Sequence, residues 1–336
     1  MSLPNDRLVL VTGGAGYIGS VLVPRLLNCG YRVRVIDSFL YRNEHTLEGV
    51  SGAESLELIS ASIADSGLLK NALTGCTDVV HLAALVGDPI CRKYPELART
   101  INLDASLNLI DLAQTQGIEQ FVFVSTCSNY GLRATDELAT EEAELNPISL
   151  YAETKVAVEH SMLSGQNTTG MSPTVLRLAT AYGLSPRMRF DLTVSEFTRQ
   201  LHAGEKLSLY DFNTWRPYCH IVDISRAIVS VLEADRTLVG NQVLNVGDNS
   251  QHYTKKQLVE TIANIVCRGE VDLVQDSVDP RNYRVSFDRV RSLLGFEISH
   301  TIPQSICSLK RELDQGCFAD YEDRLEFYRN HEISTG

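Results

Sequence analysis

The sequence predicts an α/β fold: a doubly wound parallel sheet followed by a smaller C-terminal α/β lobe. Three observations carry this. Short apolar runs rich in β-branched residues recur through the first half, as strands buried on both faces require. Stretches of helical period separate them, which is βα alternation. The first run, residues 7–12 (RLVLVT), passes directly into glycines three apart, Gly13, Gly16 and Gly19.

Taken in order, a helical stretch follows the glycines to Cys29, where Gly30 can end it. Residues 32–36 form a second strand closing on Asp37, and residues 56–61 a third, followed by Asp65. Residues 78–83 (DVVHLA) read as a fourth strand and 95–116 as one long amphipathic helix. Residues 121–125 (FVFVS) are a fifth strand, a helix carrying Tyr151 follows, and 174–177 are a sixth. Beyond Arg177 the rhythm breaks. Residues 179–189 are loop-like, 191–203 helical and 207–210 a short strand; helices are expected at 223–233, 254–266, 288–294 and 303–315. Residues 243–246 (VLNV) look like a strand returning to the sheet. The expected division is 1–180, with a returning segment at about 219–249, then a lobe at 181–316 and a charged, helix-prone tail at 317–336.

The chain has 336 residues, 44% of them hydrophobic, enough for one large domain or two closely joined ones. Its formal charge of −12 argues against a general nucleic-acid partner, which calls for a basic face. The eight cysteines are scattered, with no CxxC pair and no zinc-ligand spacing, so no metal is expected. The start of the chain lacks a signal-peptide pattern, and no segment approaches the ~20 apolar residues of a membrane span. A soluble cytoplasmic protein, with no membrane partner, is the expectation.

The glycine loop lies between a strand and a helix, where glycine lets a pyrophosphate reach backbone N–H groups at the helix N-terminus. Asp37, at the end of the next strand, suits both hydroxyls of an adenosine ribose and would repel a 2′-phosphate. NAD is therefore expected over NADP, with Arg42 nearby as the one contrary sign. Tyr151 and Lys155 lie four residues apart, on one face of a helix. A phenol titrates near ~10 and a neighbouring ammonium lowers that value, bringing Tyr151 towards use as a base.

These residues, with His81-Leu82-Ala83-Ala84, Asn102, 125–131 (STCSNYG) and 177–183 (RLATAYG), resemble an extended short-chain dehydrogenase/reductase of the nucleotide-sugar epimerase/dehydratase group. The resemblance runs from Leu8 to about Gly316, is closest in type to UDP-glucose 4-epimerase-like proteins, and implies a Rossmann-type sheet. It implies that Gly13, Gly16, Tyr17, Ile18 and Gly19 wrap the NAD pyrophosphate and that Asp65 and Ser66 lie under the adenine. Ala83, Ala84 and Leu85 would line the cofactor cleft, and Lys155 would bond the nicotinamide ribose. Thr126 would guide the proton between substrate and Tyr151. Arg216 and Arg281, with Arg189, would hold the diphosphate of a nucleoside-diphosphate sugar, for which paired guanidinium–phosphate bonding is apt. His220 reads as structural. A homodimer is implied as well.

Three departures from the group's pattern bear on the reaction. Dehydratases follow the catalytic Thr with Asp-Glu, where this chain has Cys127 and Ser128; decarboxylating relatives also keep an acid there. Thr180 stands where 4-epimerases often carry Asn. Residues 85–95 (LVGDPICRKYP), with Asp88, differ from the common epimerase loop and are expected to face the sugar. Redox-neutral 4-epimerisation leads, with Cys127 a minor acid/base candidate. The alternatives are a 4-dehydrogenase or 4-ketoreductase with net NAD(P)(H) turnover, then a 4,6-dehydratase or a non-catalytic NAD-binding protein.

Overall fold

The computed structural model describes residues 6–50, 52–133, 137–164, 170–274, 282–331 and 333. Its first half runs β1 (Leu8–Thr12), α1 (Gly19–Asn28), β2 (Arg32–Asp37), β3 (Leu56–Ser60), α2 (Ser66–Leu73), β4 (Asp78–His81) and α3 (Asp88–Lys93). It continues α4 (Pro95–Arg99), α5 (Ala105–Thr115), β5 (Gln120–Thr126), β6 (Leu138–Ala139), α6 (Leu150–Leu163) and β7 (Ser172–Leu178).

The main sheet has seven strands in the order β11-β7-β5-β4-β1-β2-β3, where β11 is Gln242–Val246. All its pairings are parallel. The winding goes outward from β1 to β3, then returns to place β4 on the other side of β1. A crevice opens at the carboxyl ends where that direction reverses. β1 shows why the apolar runs became strands. Val9 and Val11 pack with Leu22 of α1 on one face, while Leu8 and Leu10 pack with Leu69 and Leu109 on the other. Both faces are covered, so the run is apolar throughout.

Two elements of the first half differ from the sequence reading, and the stretch 179–189, expected to be loop-like, holds a strand at Thr180–Tyr182. β4 stops at His81, because the Ala83 N–H turns to the Thr12 hydroxyl (3.1 Å) instead of extending the ladder. The helix expected over 95–116 is divided by a π turn at Thr100–Asp104. Buried Asn102 sits in that turn, accepting from Leu85 N (2.7 Å) and donating to Leu85 O (3.0 Å). The widened turn thereby fixes the loop after β4, a use to which such turns are often put.

The second half runs β8 (Thr180–Tyr182), α7 (Thr193–His202), β9 (Lys206–Tyr210), β10 (Trp215–His220), α8 (Ile221–Glu233), α9 (Arg236–Val239) and β11. It ends β12 (His252–Thr254), α10 (Lys255–Val266), β13 (Glu270–Val274), β14 (Arg284–Val285), α11 (Asp288–Leu294), α12 (Ile302–Asp314) and α13 (Leu325–Tyr328). A three-stranded sheet, β12-β10-β8, packs its helices around Tyr182, Leu207, Tyr218, Ile262 and Ile306. Several strands here are short and half exposed, β13 most of all, so they lack the apolar run that marks the first half. Among the described residues of the tail, only α13 is helical. Phe318, Tyr321, Phe327 and Tyr328 gather on Phe190 and carry the chain back to the crevice. No described helix is long and apolar enough to cross a membrane, and no metal-holding cluster occurs among the described residues.

Candidate functional site

A cleft of about 570 Å³ lies over the carboxyl ends of the sheet strands, with the second half as its far wall. Its floor begins at the glycine turn. Gly13 has φ +71°, and a Cβ there would meet the Ala83 backbone at 2.9 Å, where β1 and β4 diverge. A Cβ on Gly19 would lie 2.4 Å from Gly13 O. Only glycine fits at either position. The floor is therefore a bare backbone cradle at the N-terminus of α1, lined by Gly13, Gly16, Tyr17, Ile18 and Gly19.

Asp37, closing β2, faces the same cradle. Its Oδ2 accepts from Ala15 N (3.0 Å) and its Oδ1 from Phe39 N (2.9 Å). Burial pushes this carboxyl above its ordinary value, against the pull of those amides and of Arg187. Arg42 does not share the cleft; its guanidinium reaches towards Glu326 at 3.9 Å. Asp65 and Ser66, expected beneath the adenine, do not line the cleft; Ala61, Ser62 and Ile63 do. Asp65 is instead the N-cap of α2, accepting from Leu68 N (3.0 Å).

Ala83, Ala84 and Leu85 line the cleft after β4, and Asp88 lines it from the first turn of α3. Thr126 ends β5 and faces the cleft while its hydroxyl accepts from Ser128 N (3.1 Å). Ser128 also lines it, with its hydroxyl 3.4 Å from that of Tyr283. Cys127 is turned the other way, a correction to its expected place near substrate. It is buried in the core, donates to Arg177 O (3.2 Å), and burial pushes its thiol well up.

Tyr151 and Lys155 both line the cleft from α6, whose first turn is capped by the Ser149 hydroxyl (3.3 Å to Ala152 N). Lys155 is 3% exposed. Its Nζ donates to Val124 O (2.8 Å) and lies 4.7 Å from the centre of the Phe123 ring. Burial lowers it to about 8, opposed by Glu159. The Tyr151 phenol is held above its ordinary value, not below it as the neighbouring lysine suggested. Burial is the main cause, Cys91, Asp88 and Tyr283 add to it, and Arg189 is the cation that opposes it.

Behind Thr126 lies a buried polar network the sequence reading did not identify. Glu159, one helical turn beyond Lys155, accepts from the Ser125 hydroxyl, from Asn129 Nδ2 (2.7 Å), and from Arg177 Nε (3.0 Å) and Nη2 (2.7 Å). Arg177 Nη1 donates to Tyr130 Oη (3.0 Å), which donates to Asn245 Oδ1 (2.7 Å). β5, β7 and β11 are thus tied together beneath the cleft edge that carries Thr126.

On the far wall, Thr180, Arg189 and Arg216 line the cleft. Arg189 is committed to Asp191, through Nε (3.0 Å) and Nη2 (2.6 Å). Arg216 donates to Trp215 O (2.8 Å) and lies 5.4 Å from the centre of the Tyr283 ring. Arg281 lies outside the described residues. His220 is structural, its Nδ1 capping α8 and its ring stacked on His300 at 4.3 Å. The sequence reading missed Tyr41, Arg187, Asn330 and His331, all of which line the cleft. Neither Arg187 nor Asn330 belongs to a local motif; contacts across more than a hundred residues bring them there.

A model of the NAD dependent epimerase/dehydratase family matches residues 9–247. The UDP-glucose 4-epimerase of Corynebacterium glutamicum is 28% identical over 313 residues, 87% of this chain and 91% of that protein. UDP-glucuronic acid decarboxylase 6 of Arabidopsis thaliana is 29% identical over 308 residues, 87% of this chain and 84% of that protein. Among solved structures, MoeE5 in complex with UDP-glucuronic acid and NAD matches with a TM-score of 0.79 at 27% identity, covering 92% of this chain and 99% of that one.

Proposed function

The chain belongs to the NAD dependent epimerase/dehydratase family, and from that premise we propose that it is a redox-neutral 4-epimerase of a nucleoside-diphosphate sugar. The observation that carries this reading is the meeting of Tyr151, Lys155 and Thr126 in one cleft with the glycine cradle and Asp37. The cradle, which a Cβ would fill, and a carboxylate fixed beside it fit a dinucleotide. The cradle and Asp37 would hold NAD, which would supply reversible hydride acceptance at the sugar carbon with no net redox change.

The protein's own part is proton transfer and positioning. Tyr151 Oη takes the proton of the sugar hydroxyl. A buried phenol resists ionisation, so cations must offset the charge that develops. Arg189 acts on it already, and Lys155 stands one helical turn away. The Thr126 hydroxyl orients the shared proton between substrate and phenol.

Relatives of equal likeness bear epimerase and decarboxylase names, so the choice of reaction rests on residues. Of the two positions that would carry acid and base for elimination, one holds a thiol turned into the core and the other a serine. That favours epimerisation.

The test begins with purified protein, denatured and its supernatant assayed for NAD(H), then a panel of UDP-, dTDP-, GDP- and CDP-sugars. Bound dinucleotide and an epimeric product without sustained change at 340 nm are expected. A sustained change would mean net oxidoreduction. Tyr151→Phe should cut turnover by about 10²- to 10⁴-fold while leaving bound NAD(H) in place.

A further inference from the structure

Arg187 is 1% exposed and lines the cleft, yet it has no carboxylate ion-pair partner among the described residues. Its Nη2 donates to Asn330 Oδ1 (2.6 Å), while its shielded Nε meets no acceptor among the described residues. The Tyr41 ring lies under the guanidinium at 4.6 Å, and the shielded Tyr41 hydroxyl also has no partner there. Burying a cation is costly unless something compensates it. Asp191 compensates Arg189, and Glu159 compensates Arg177. Among the described residues no carboxylate makes such an ion pair with Arg187; Asp191 and Asp37 favour its charge only through space. Burial and Arg189 lower it only to about 10, so it is a cation at neutral pH.

Its place in the fold says which anion it awaits. The Arg187 N–H donates to the Ser185 hydroxyl (3.2 Å), which donates to Tyr17 O (2.8 Å) and lies 2.9 Å from the Ser20 hydroxyl. Tyr17 Oη donates to Gly183 O (2.6 Å). The segment is therefore strapped to the first turn of α1, the end that attracts phosphate. Asp37 is close enough to bias Arg187 electrostatically, but no ion pair joins them, and its oxygens are bonded by backbone amides.

We propose that Arg187, held by Asn330 from the C-terminal segment, clamps the dinucleotide diphosphate against the glycine cradle from above. This rests on the NAD-dependent reading and adds a residue set to it. Asn330 is the positioning member: its Nδ2 also reaches Val86 O (3.5 Å) and its N–H reaches Asp191 Oδ2 (3.3 Å). The C-terminal segment thereby closes the cofactor site that the N-terminal motif opens.

Calorimetric titration of the full chain, stripped of dinucleotide, with ADP-ribose, adenosine and UDP separates the sources of phosphate. Arg187→Gln should weaken ADP-ribose by about 10- to 100-fold and leave adenosine and UDP within about twofold. Arg187→Lys should recover part of the loss. Asn330→Ala, which keeps the guanidinium, should show a smaller loss confined to ADP-ribose and guards against a misfolded Arg187 variant. Equal ADP-ribose affinity in the variants, or a loss shared with adenosine, would overturn the clamp. So would a loss confined to UDP, which would assign Arg187 to the sugar nucleotide. If the unmodified protein bound neither ADP-ribose nor NAD, the NAD-dependent reading itself would fall.

Discussion

Arg177 and Arg187, ten residues apart in the sequence, are both buried and both held by aromatic rings, yet their surroundings are opposite. Arg177 spends its nitrogens on Glu159, Tyr130 and the Glu141 carbonyl (3.2 Å). Burial alone would lower its pKa, but Glu159 raises it well above the ordinary value. Arg187 has one amide oxygen and is lowered. The first belongs to the ground beneath Thr126, where the Glu159 and Arg177 charges answer each other within the fold. The second belongs to the wall above the cradle, where one charge is left for a ligand. Satisfied buried charge fixes geometry; unsatisfied buried charge marks where a ligand's charge belongs.

Stability measurements break this contrast most directly. Glu159→Ala would leave Arg177 buried without its carboxylate and should cost about 3–5 kcal/mol in denaturant unfolding. Glu159→Met with Arg177→Met together should recover much of that loss, because no charge is then stranded. Arg187→Met should cost far less than Glu159→Ala, or stabilise the chain in the absence of dinucleotide. If Arg187→Met proved as costly as Glu159→Ala, the two arginines would be alike and the contrast would be lost.

Lys155 lies between the two regions and sharpens the comparison through pH. Its folded value of about 8 is below the ordinary 10.5, so the unfolded chain holds the proton more tightly. Stability contributed at this site therefore rises with pH between about 8 and 10.5, and the cost of burying the ammonium is fully present below pH 8. Removing the ammonium in Lys155→Met should favour the variant by up to about 3 kcal/mol below that window, less the lost bond to Val124 O. The difference should shrink across the window. Unfolding of both proteins from pH 7 to pH 10 reads it, and a flat difference would show that the ammonium is not suppressed.

How much of this was legible in the chain follows from the range of the contacts. The first half could be read because its central strands β1, β4, β5 and β7 are buried on both faces and the candidate site residues follow strand ends: Gly13 after β1, Asp37 on β2, Ala83 after β4, Thr126 on β5. Tyr151 and Lys155 declared themselves by helical spacing. The π turn at Asn102 could not be read, since its cause is a backbone loop seventeen residues earlier. Nor could Cys127, whose neighbours on either side both face the cleft. The raised phenol of Tyr151 depends on how much protein covers it, which spacing does not reveal. Arg187 carried no signal in the sequence, because only the fold brings Asp191 to Arg189 and Asn330 to Arg187.

The smallest effect tests where the cofactor cleft ends. Asp65 stands after β3, where the family resemblance placed the adenine, but it is exposed and its oxygen is used to cap α2. An N-cap Asp is worth about 1 kcal/mol, and the cap satisfies one helix N–H that otherwise has no partner within the helix. Asp65→Ala should therefore lower unfolding stability by about that amount and leave ADP-ribose affinity unchanged. Asp65→Ser, which can still cap, should restore the stability. A loss of ADP-ribose affinity in Asp65→Ala, with Asp65→Ser no better, would extend the cleft beyond Ala61, Ser62 and Ile63 to the start of α2.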